Sequence, residues 1–436
     1  MQKVHFLGIG GSGASAAAAI ASAQGYEVTG CDKFPFNEFT KVFDQKTLFE
    51  GHSPDHLENV DILAVTPAIY SLDPRNPELL EAKKKGIRIF TWQEFMGEFL
   101  EKEKFVIAVC GTHGKTTTTS IIGQLLEDAG LDPTVEVGTM ILRWKANYRV
   151  GKGKYFVTEA DEFNENFLVS HPNITVCTIV EMDHPEFYQD FGSYKASFRK
   201  FLSQTKEKII ANLSDEGVKE VLASQGETLL GSARSPLAEI VDYSEKLIDF
   251  PLQVPGKFNV LNASAAFQVG LALGIPEEKI KESLSNFSGV GRRFEYLGDF
   301  KGAKVYSDFG HHPTEIRVTL EALREKYPDE KILVVFQPHM FSRSFTLFDD
   351  FVKVFQNVHV DKTWIMDIYP SREVDTGKVS SKELVEAINK PSVELIPKGE
   401  EVLERLNKDF DGGGVIFFIG AGDTHKIAQG LLQIKG

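Results

Sequence analysis

Cysteine is scarce in this sequence: Cys31, Cys110 and Cys177 are the only three in 436 residues, far apart and without a CxxC pair. That spacing argues against a disulfide framework and against a zinc site, and it fits a reducing compartment. Cationic side chains are in the minority, with 48 Lys and Arg against 62 Asp and Glu for a formal net charge of −14. A nucleic-acid backbone is thereby excluded as the main partner, because phosphate neutralisation needs clustered cations. Small anions held by local loops stay open. Long apolar runs are missing as well, since no stretch approaches the ~20 residues of a membrane span. The apolar start breaks at Gly10-Gly11-Ser12-Gly13 with only Lys3 ahead of it, which excludes a secretory signal. There is no short repeat and no low-complexity tract. What is present is ordinary for a cytoplasmic enzyme, 42% apolar and 25% charged, in a chain too long for one core.

Strand-like and helix-like segments alternate throughout. In the first hundred residues, strands are expected at 3–10, 26–32, 60–68 and 86–92, with helices at 13–24 and 76–85. A second series opens at 104–110 and continues through 154–160, 174–180 and 208–213, with a helix over 259–274. The turn-rich segment 289–302 reads as a boundary. A third series then runs from strand 303–310 through helix 314–327, strand 331–339, helix 345–356 and strand 363–370 to a last strand at 415–422. The reading is three consecutive α/β domains, spanning 1–102, 103–293 and 294–436. In such sheets, ligands collect beyond the carboxyl ends of the strands.

Two glycine-rich turns stand at such ends. Gly111-Thr112-His113-Gly114-Lys115-Thr116 follows an apolar strand and opens a helix. Its glycines let backbone N–H groups wrap a phosphate, and the helix adds a positive dipole end. Lys115 suits β/γ-phosphate oxygens and the Thr116 hydroxyl suits Mg²⁺, although Val109 occupies the first glycine position of GxxxxGK[ST]. Gly8, Gly10 and Gly13 form the other turn, with Asp32 nineteen residues beyond Gly13. That is a dinucleotide pattern, but any diphosphate can use it. Two cradles in separate domains suggest two nucleotides, one as substrate and one as fuel.

Other strand ends carry acids and histidines. Glu159, Asp161 and Glu162 follow one strand, and Glu181, Asp183 and His184 follow another. Mg²⁺ takes hard oxygen ligands of this kind. Farther along, Asp308, His311 and His312 precede a helix, as do His339 and Arg343. Arg343 is able to pair a carboxylate bidentately.

In this order, "GIGGSG", "GTHGKTTTT", "EADE", "MDH", "NVLNASAA", "GVGRRFE", "DFGHHPTEI", "FQPHMFSRSF", "DIYPSRE" and "GAGDTHKIA" resemble the Mur ligase family over essentially the whole chain, most closely its alanine-adding members. The resemblance implies a Rossmann-like UDP-sugar domain, a central P-loop ATPase-type domain with a parallel sheet, and a C-terminal Rossmann-like domain for the amino acid. It implies that Gly8, Gly10, Gly11, Ser12, Gly13 and Asp32 hold the UDP-sugar. ATP would lie on Gly111, Thr112, His113, Gly114, Lys115, Thr116 and Thr117, with Asn259 and Asn262 on the adenine side and Arg292, Arg293 and Asp308 reaching it from the third domain. Thr116, Glu159 and His184 would hold magnesium, and His339 and Arg343 the amino acid. The substrates implied are UDP-N-acetylmuramate and a small amino acid, L-alanine first, in peptidoglycan precursor synthesis by a monomer or homodimer. Departures from the family pattern are Met340 in place of an arginine, Ser307 and Gly310 in place of the usual Asp and Ala, and Phe258 in place of a histidine. Phe198 stands where sister ligases carry a carbamylated lysine, so no carbamate is assigned.

A carboxylate does not condense with an amine in water, so the implied chemistry activates the muramate carboxylate as an acyl phosphate, which the α-amine then attacks. Lys115 and Mg²⁺ would stabilise the charge that builds on the phosphoryl oxygens. The amine must be neutral, and Lys115 is joined in the catalytic set by His311 and His312, with His339 a further candidate base. Alternatives are a tripeptide-recycling or folylpolyglutamate-type ligase and, in another class, a nicotinamide oxidoreductase or a nucleotide-binding regulator without turnover.

Overall fold

The computed structural model describes residues 2–223, 238–371 and 373–434. They divide into two compact units. The first comprises Met1–Asp183, Gln189–Pro251 and Leu261–Phe287, and the second His184–Tyr188, Leu252–Val260 and Ser288–Gly436.

The first unit carries two sheets. One contains β1 (Lys3–Leu7), β2 (Glu27–Asp32), β3 (Leu48–Glu50), β4 (Ile62–Val65) and β5 (Arg88–Thr91) in the order β3-β2-β1-β4-β5, every neighbouring pair parallel. Strand order reverses beside β1, so the glycine turn after Leu7 sits at the topological switch point. The other sheet contains β6 (Phe105–Cys110), β7 (Thr134–Ile141), β8 (Ala146–Arg149), β9 (Tyr155–Glu159), β10 (Ile174–Cys177), β11 (Lys208–Ala211) and β12 (Glu239–Asp242), ordered β12-β11-β10-β6-β9-β7-β8. It is parallel except for the β7–β8 hairpin. The lysine loop leaves β6 where order reverses again, between β10 and β9.

Burial follows composition. The helix Ser12–Ala23 is alanine-rich and buried from Ala14 to Ala21, because side chains ending at Cβ let it lie close against its neighbours. Its Ala17, Ala18, Ile20 and Ala21 share one core with Val4, Phe6 and Ile62 of the first sheet and Val106 and Phe156 of the second. Asn147 on β8 fastens the same helix, its Nδ2 donating to Ser12 O at 2.5 Å and Ser15 Oγ at 3.2 Å.

The second unit holds β13 (Glu295–Phe300), β14 (Ala303–Asp308), β15 (Ile332–Phe336), β16 (Lys362–Ile365), β17 (Val393–Leu395) and β18 (Val415–Ile419), ordered β13-β14-β18-β15-β16-β17. Only β13 runs antiparallel. Three sheets in mainly parallel α/β arrangement match the fold class read from sequence. Two details differ. The segment 289–302, read as a boundary, supplies edge strand β13, and the single helix expected over 345–356 is two helices, Phe341–Thr346 and Phe348–Asn357, broken at Leu347.

Candidate active site

The lysine loop leaves β6 through glycines that have no substitute. Gly111 has φ +131°, and a Cβ there would lie 2.0 Å from Thr178 Oγ1; Gly114 has φ +87°, and a Cβ would lie 2.6 Å from Asn262 Oδ1. Gly114 caps the helix Lys115–Asp128 without a side-chain hydrogen bond, so the backbone N–H groups of its first turn have no capping side-chain oxygen, an arrangement suited to an anion. Lys115 Nζ donates to Gly111 O at 2.6 Å and to Glu162 at 2.8 Å (Oε2) and 3.1 Å (Oε1). Burial alone would lower the Lys115 ammonium, but Glu162, Asp161 and Glu159 more than offset it and hold it raised and charged.

Thr116 Oγ1 donates to Glu159 Oε2 at 3.1 Å, and Glu159 Oε1 accepts the Gly138 N–H at 2.7 Å. A hydroxyl and a carboxylate thus meet beside the loop, the hard-oxygen pairing a magnesium ion requires. Thr112 Oγ1 donates to Glu181 O at 2.8 Å, and His113 Nε2 pairs with Glu181 Oε1. Thr117 is buried in the first helical turn. Asn262 sits against Gly114, while Asn259, in the second unit, donates to Pro255 O at 2.6 Å.

The N-terminal turn is equally specific. Gly8 has φ +91°, and a Cβ would meet the Thr66 methyl at 2.5 Å; one on Gly13 would meet the Trp92 ring at 2.4 Å. Asp32 braces this turn: its Oδ2 accepts the Gly10 N–H at 3.0 Å and its Oδ1 the Phe34 N–H at 2.9 Å. Gly11 caps the helix Ser12–Ala23 with no side-chain hydrogen bond, leaving another set of N–H donors at a strand end.

In the second unit, Arg292 and Arg293 stack their guanidinium groups over Phe309, 4.7 and 5.3 Å from the ring centroid. Asp308 is buried and pins the backbone, accepting Phe294 N–H at 2.8 Å and Gly310 N–H at 2.7 Å. His312 Nδ1 accepts the Thr314 N–H at 3.3 Å and, with Glu315, forms a capping box for the helix Pro313–Lys326. The more exposed His311 has its ring 5.8 Å from that of His339, which stacks on Tyr369. Arg343 is buried, its Nη1 3.5 Å from His339 Nδ1 and 3.9 Å from the Met340 sulfur. His184 belongs to this unit too, its Nδ1 3.4 Å from Glu186.

Several participants escaped sequence reasoning. Glu162 was one strand-end acid among several with no role of its own, yet it is buried as the counter-ion of Lys115, with Tyr194 OH 3.3 Å away. Glu136 gave no signal: it projects from β7 beside Glu159 and accepts the Thr158 hydroxyl at 2.9 Å. Burial, reinforced by Glu159, pushes its carboxyl up to about 8. His425 lies on Ser307 at 3.0 Å, and burial with Arg292 nearby lowers it to about 4. Arg372 of "DIYPSRE" lies outside the described residues.

Three family models match the chain in sequence order. The Mur ligase family catalytic domain covers residues 3–104, the Mur ligase middle domain 109–270, and the Mur ligase glutamate ligase domain 292–422. The chain is 38% identical to the UDP-N-acetylmuramate–L-alanine ligase of Aquifex aeolicus, over 99% of this chain and 98% of that protein. It is 36% identical to the enzyme of the same name from Clostridium tetani, with the same coverage. Among solved structures, the UDP-N-acetylmuramate-alanine ligase of Thermotoga maritima superposes with a TM-score of 0.78 at 27% identity, covering 99% of both chains. A murein peptide ligase from Psychrobacter arcticus shares the fold, with a TM-score of 0.70 at 23% identity and full coverage of both chains.

Proposed function

We propose, from the premise that this chain belongs to the Mur ligase family, that it joins L-alanine to the carboxylate of UDP-N-acetylmuramate at the expense of ATP. The protein is an ATP-dependent ligase, and the reaction is a step of peptidoglycan precursor synthesis. The observation that carries this reading is the lysine loop: two obligatory glycines, an uncapped helix start, and Lys115 charged beside a Thr116–Glu159 pair.

ATP fits this loop, because Gly111 and Gly114 hold positive-φ turns that leave no room for a side chain against Thr178 and Asn262, and Lys115 offers the cation a terminal phosphate needs. Magnesium fits the Thr116 hydroxyl and Glu159 carboxylate, with His184 the third residue assigned to it; when bound it would neutralise charge on the phosphate oxygens. The muramate carboxylate oxygen takes the terminal phosphoryl group and ADP departs. The alanine nitrogen then attacks the acyl carbon, phosphate leaves, and the amine proton passes to a base. His311 suits that base better than His312, whose Nδ1 is committed to the helix cap. Arg343, with His339, would hold the alanine carboxylate, and the Gly8–Gly13 turn the UDP diphosphate.

The test is phosphate release with UDP-N-acetylmuramate and ATP across L-alanine, glycine, L-serine, L-glutamate and the stem tripeptide. Release should need both the sugar nucleotide and an amino acid, with kcat/KM highest for L-alanine. A preference for the tripeptide or for glutamate would move the chain to another branch, and release without any acceptor would end the ligase reading.

A further inference from the structure

Four side chains that take no part in the chemistry above converge beneath the N-terminal sheet. His5 stands on β1 and Cys31 on β2, His56 in the short 3-10 helix Pro54–Leu57 before β4, and Glu78 in the first turn of the helix Pro77–Lys85. One donor atom from each lies within 4.8 Å of all the others. Cys31 Sγ is 3.1 Å from Glu78 Oε1, His56 Nδ1 is 2.9 Å from the same oxygen, and His5 Nε2 is 3.2 Å from Glu78 Oε2. Four ligands around a tetrahedral zinc, at about 2.0–2.3 Å from the metal, stand ~3.3–3.8 Å from one another; the contacts to Glu78 are close to that spacing, and the remaining pairs lie within the 4.8 Å limit. Thiolate, two imidazoles and one carboxylate are a donor set for zinc or cobalt, and one that magnesium disfavours.

A hydrogen-bond network explains only part of the arrangement. The Cys31 thiol, the His56 ring and the Ser53 N–H, 3.0 Å away, all donate to Glu78. His5 does not fit that scheme. Its Nδ1 is taken by Thr29 Oγ1 at 2.9 Å, while its Nε2, fully buried, faces Glu78 off any hydrogen-bond axis. A buried ring nitrogen 3.2 Å from a carboxylate oxygen, yet off its hydrogen-bond axis, is a donor atom that a bound cation would satisfy. The Thr29 contact is the kind of outer-shell partner that orients a metal-bound histidine.

We propose that His5, Cys31, His56 and Glu78 form a transition-metal site of the zinc type, built into the sugar-nucleotide domain and separate from the magnesium position at the lysine loop. His52, whose Nδ1 is 3.3 Å from Cys31 Sγ and 3.8 Å from Glu78 Oε1, is a spare donor beside it. His52 and His56 keep part of their side chains exposed, which supplies the entry path. Binding exchanges the thiol proton for the metal: the sulfur keeps the S–H electron pair as the metal–sulfur bond forms, and one proton leaves per ion. The site would tie β1, β2, the 52–56 loop and the helix Pro77–Lys85 together. It also borders the glycine turn, since Cys31 O accepts the N–H groups of Gly8 at 2.8 Å and Ile9 at 3.1 Å. Sequence spacing hid it, because the four ligands come from four separate segments.

Chelator-treated full-length protein is titrated with Co²⁺ in millimolar Mg²⁺. One equivalent should produce the near-ultraviolet thiolate-to-cobalt charge-transfer band and the intense visible bands of tetrahedral cobalt, and Zn²⁺ should abolish both. Cys31→Ser should remove the charge-transfer band, and His56→Gln should weaken binding. Thr29→Val should lower cobalt affinity about 10–100-fold while the protein stays folded. Absence of the bands in the unaltered protein, their loss to Mg²⁺ competition, or a charge-transfer band that survives Cys31→Ser overturns the proposal. None of these outcomes depends on ligase activity.

Discussion

Replacing Lys115 by methionine separates two roles that the structure superimposes. The Nζ is 2.8 Å from a Glu162 carboxylate only 1% exposed, and the lysine side chain is itself only 15% exposed. Removing one partner of a buried ion pair leaves an uncompensated charge and costs roughly 3–5 kcal/mol. The lower end applies, because Tyr194 OH stays 3.3 Å from Glu162 and the carboxyl can take up a proton. Lys115→Met should therefore lower the denaturation free energy by about 3 kcal/mol. It should also abolish phosphate release, since loss of a charged contact to the transition state costs about 10²–10³-fold or more. The double variant Lys115→Met/Glu162→Gln should recover most of the stability and none of the activity. Chemical denaturation of both variants, read beside phosphate release at saturating ATP, makes the comparison. Undiminished stability in Lys115→Met refutes the ion-pair argument, and restored turnover in the double variant refutes the assignment of Lys115 to the phosphates.

Gly114→Ala forces an L side chain to φ +87° against Asn262, so a loss of about 1–3 kcal/mol in stability is expected, with ATP-dependent release falling below detection; a fully active variant would show that the loop does not hold the nucleotide. Glu136, raised to about 8 from 4.5, binds a proton in the folded chain that the unfolded chain gives up, so its contribution to stability is complete below pH 4.5 and lost as pH climbs to 8. Glu136→Gln should flatten that part of the stability profile, as followed by thermal melting from pH 5 to 9, and an unchanged slope would contradict the burial of the carboxyl. Arg343→Ala should raise KM for alanine by an order of magnitude or more, the loss of a charge-assisted contact, while KM for ATP stays put. A shift in the nucleotide KM alone would relocate Arg343 in the mechanism.

The parts of this molecule that sequence made legible are those governed by short-range chemistry. Glycine punctuation marked both turns, and unbroken apolar runs marked the central parallel strands. Edge strands were harder. β8 and β13 carry polar, half-exposed side chains, and their pairing is decided by the sheet beside them. Roles that depend on what lies across a fold were invisible: Glu162 became a counter-ion only when β9 was placed next to β6, and Glu136 became a weaker acid only when β7 was brought next to β9. The His311–His312 pair looked symmetrical in the sequence. Pro313 then breaks the symmetry, because it starts a helix whose first free N–H groups take the second histidine as their cap.

The alanine strip of the helix Ser12–Ala23 has an owner on each side. It packs with Val4 and Phe6 from one sheet and with Val106 and Phe156 from the next, so neither sheet possesses that hydrophobic surface alone. A cut near residue 102 would strip both fragments of shared lining. The N-terminal sheet should consequently unfold together with the layer that carries the lysine loop, and it is not expected to be a part that recombination could lift out intact.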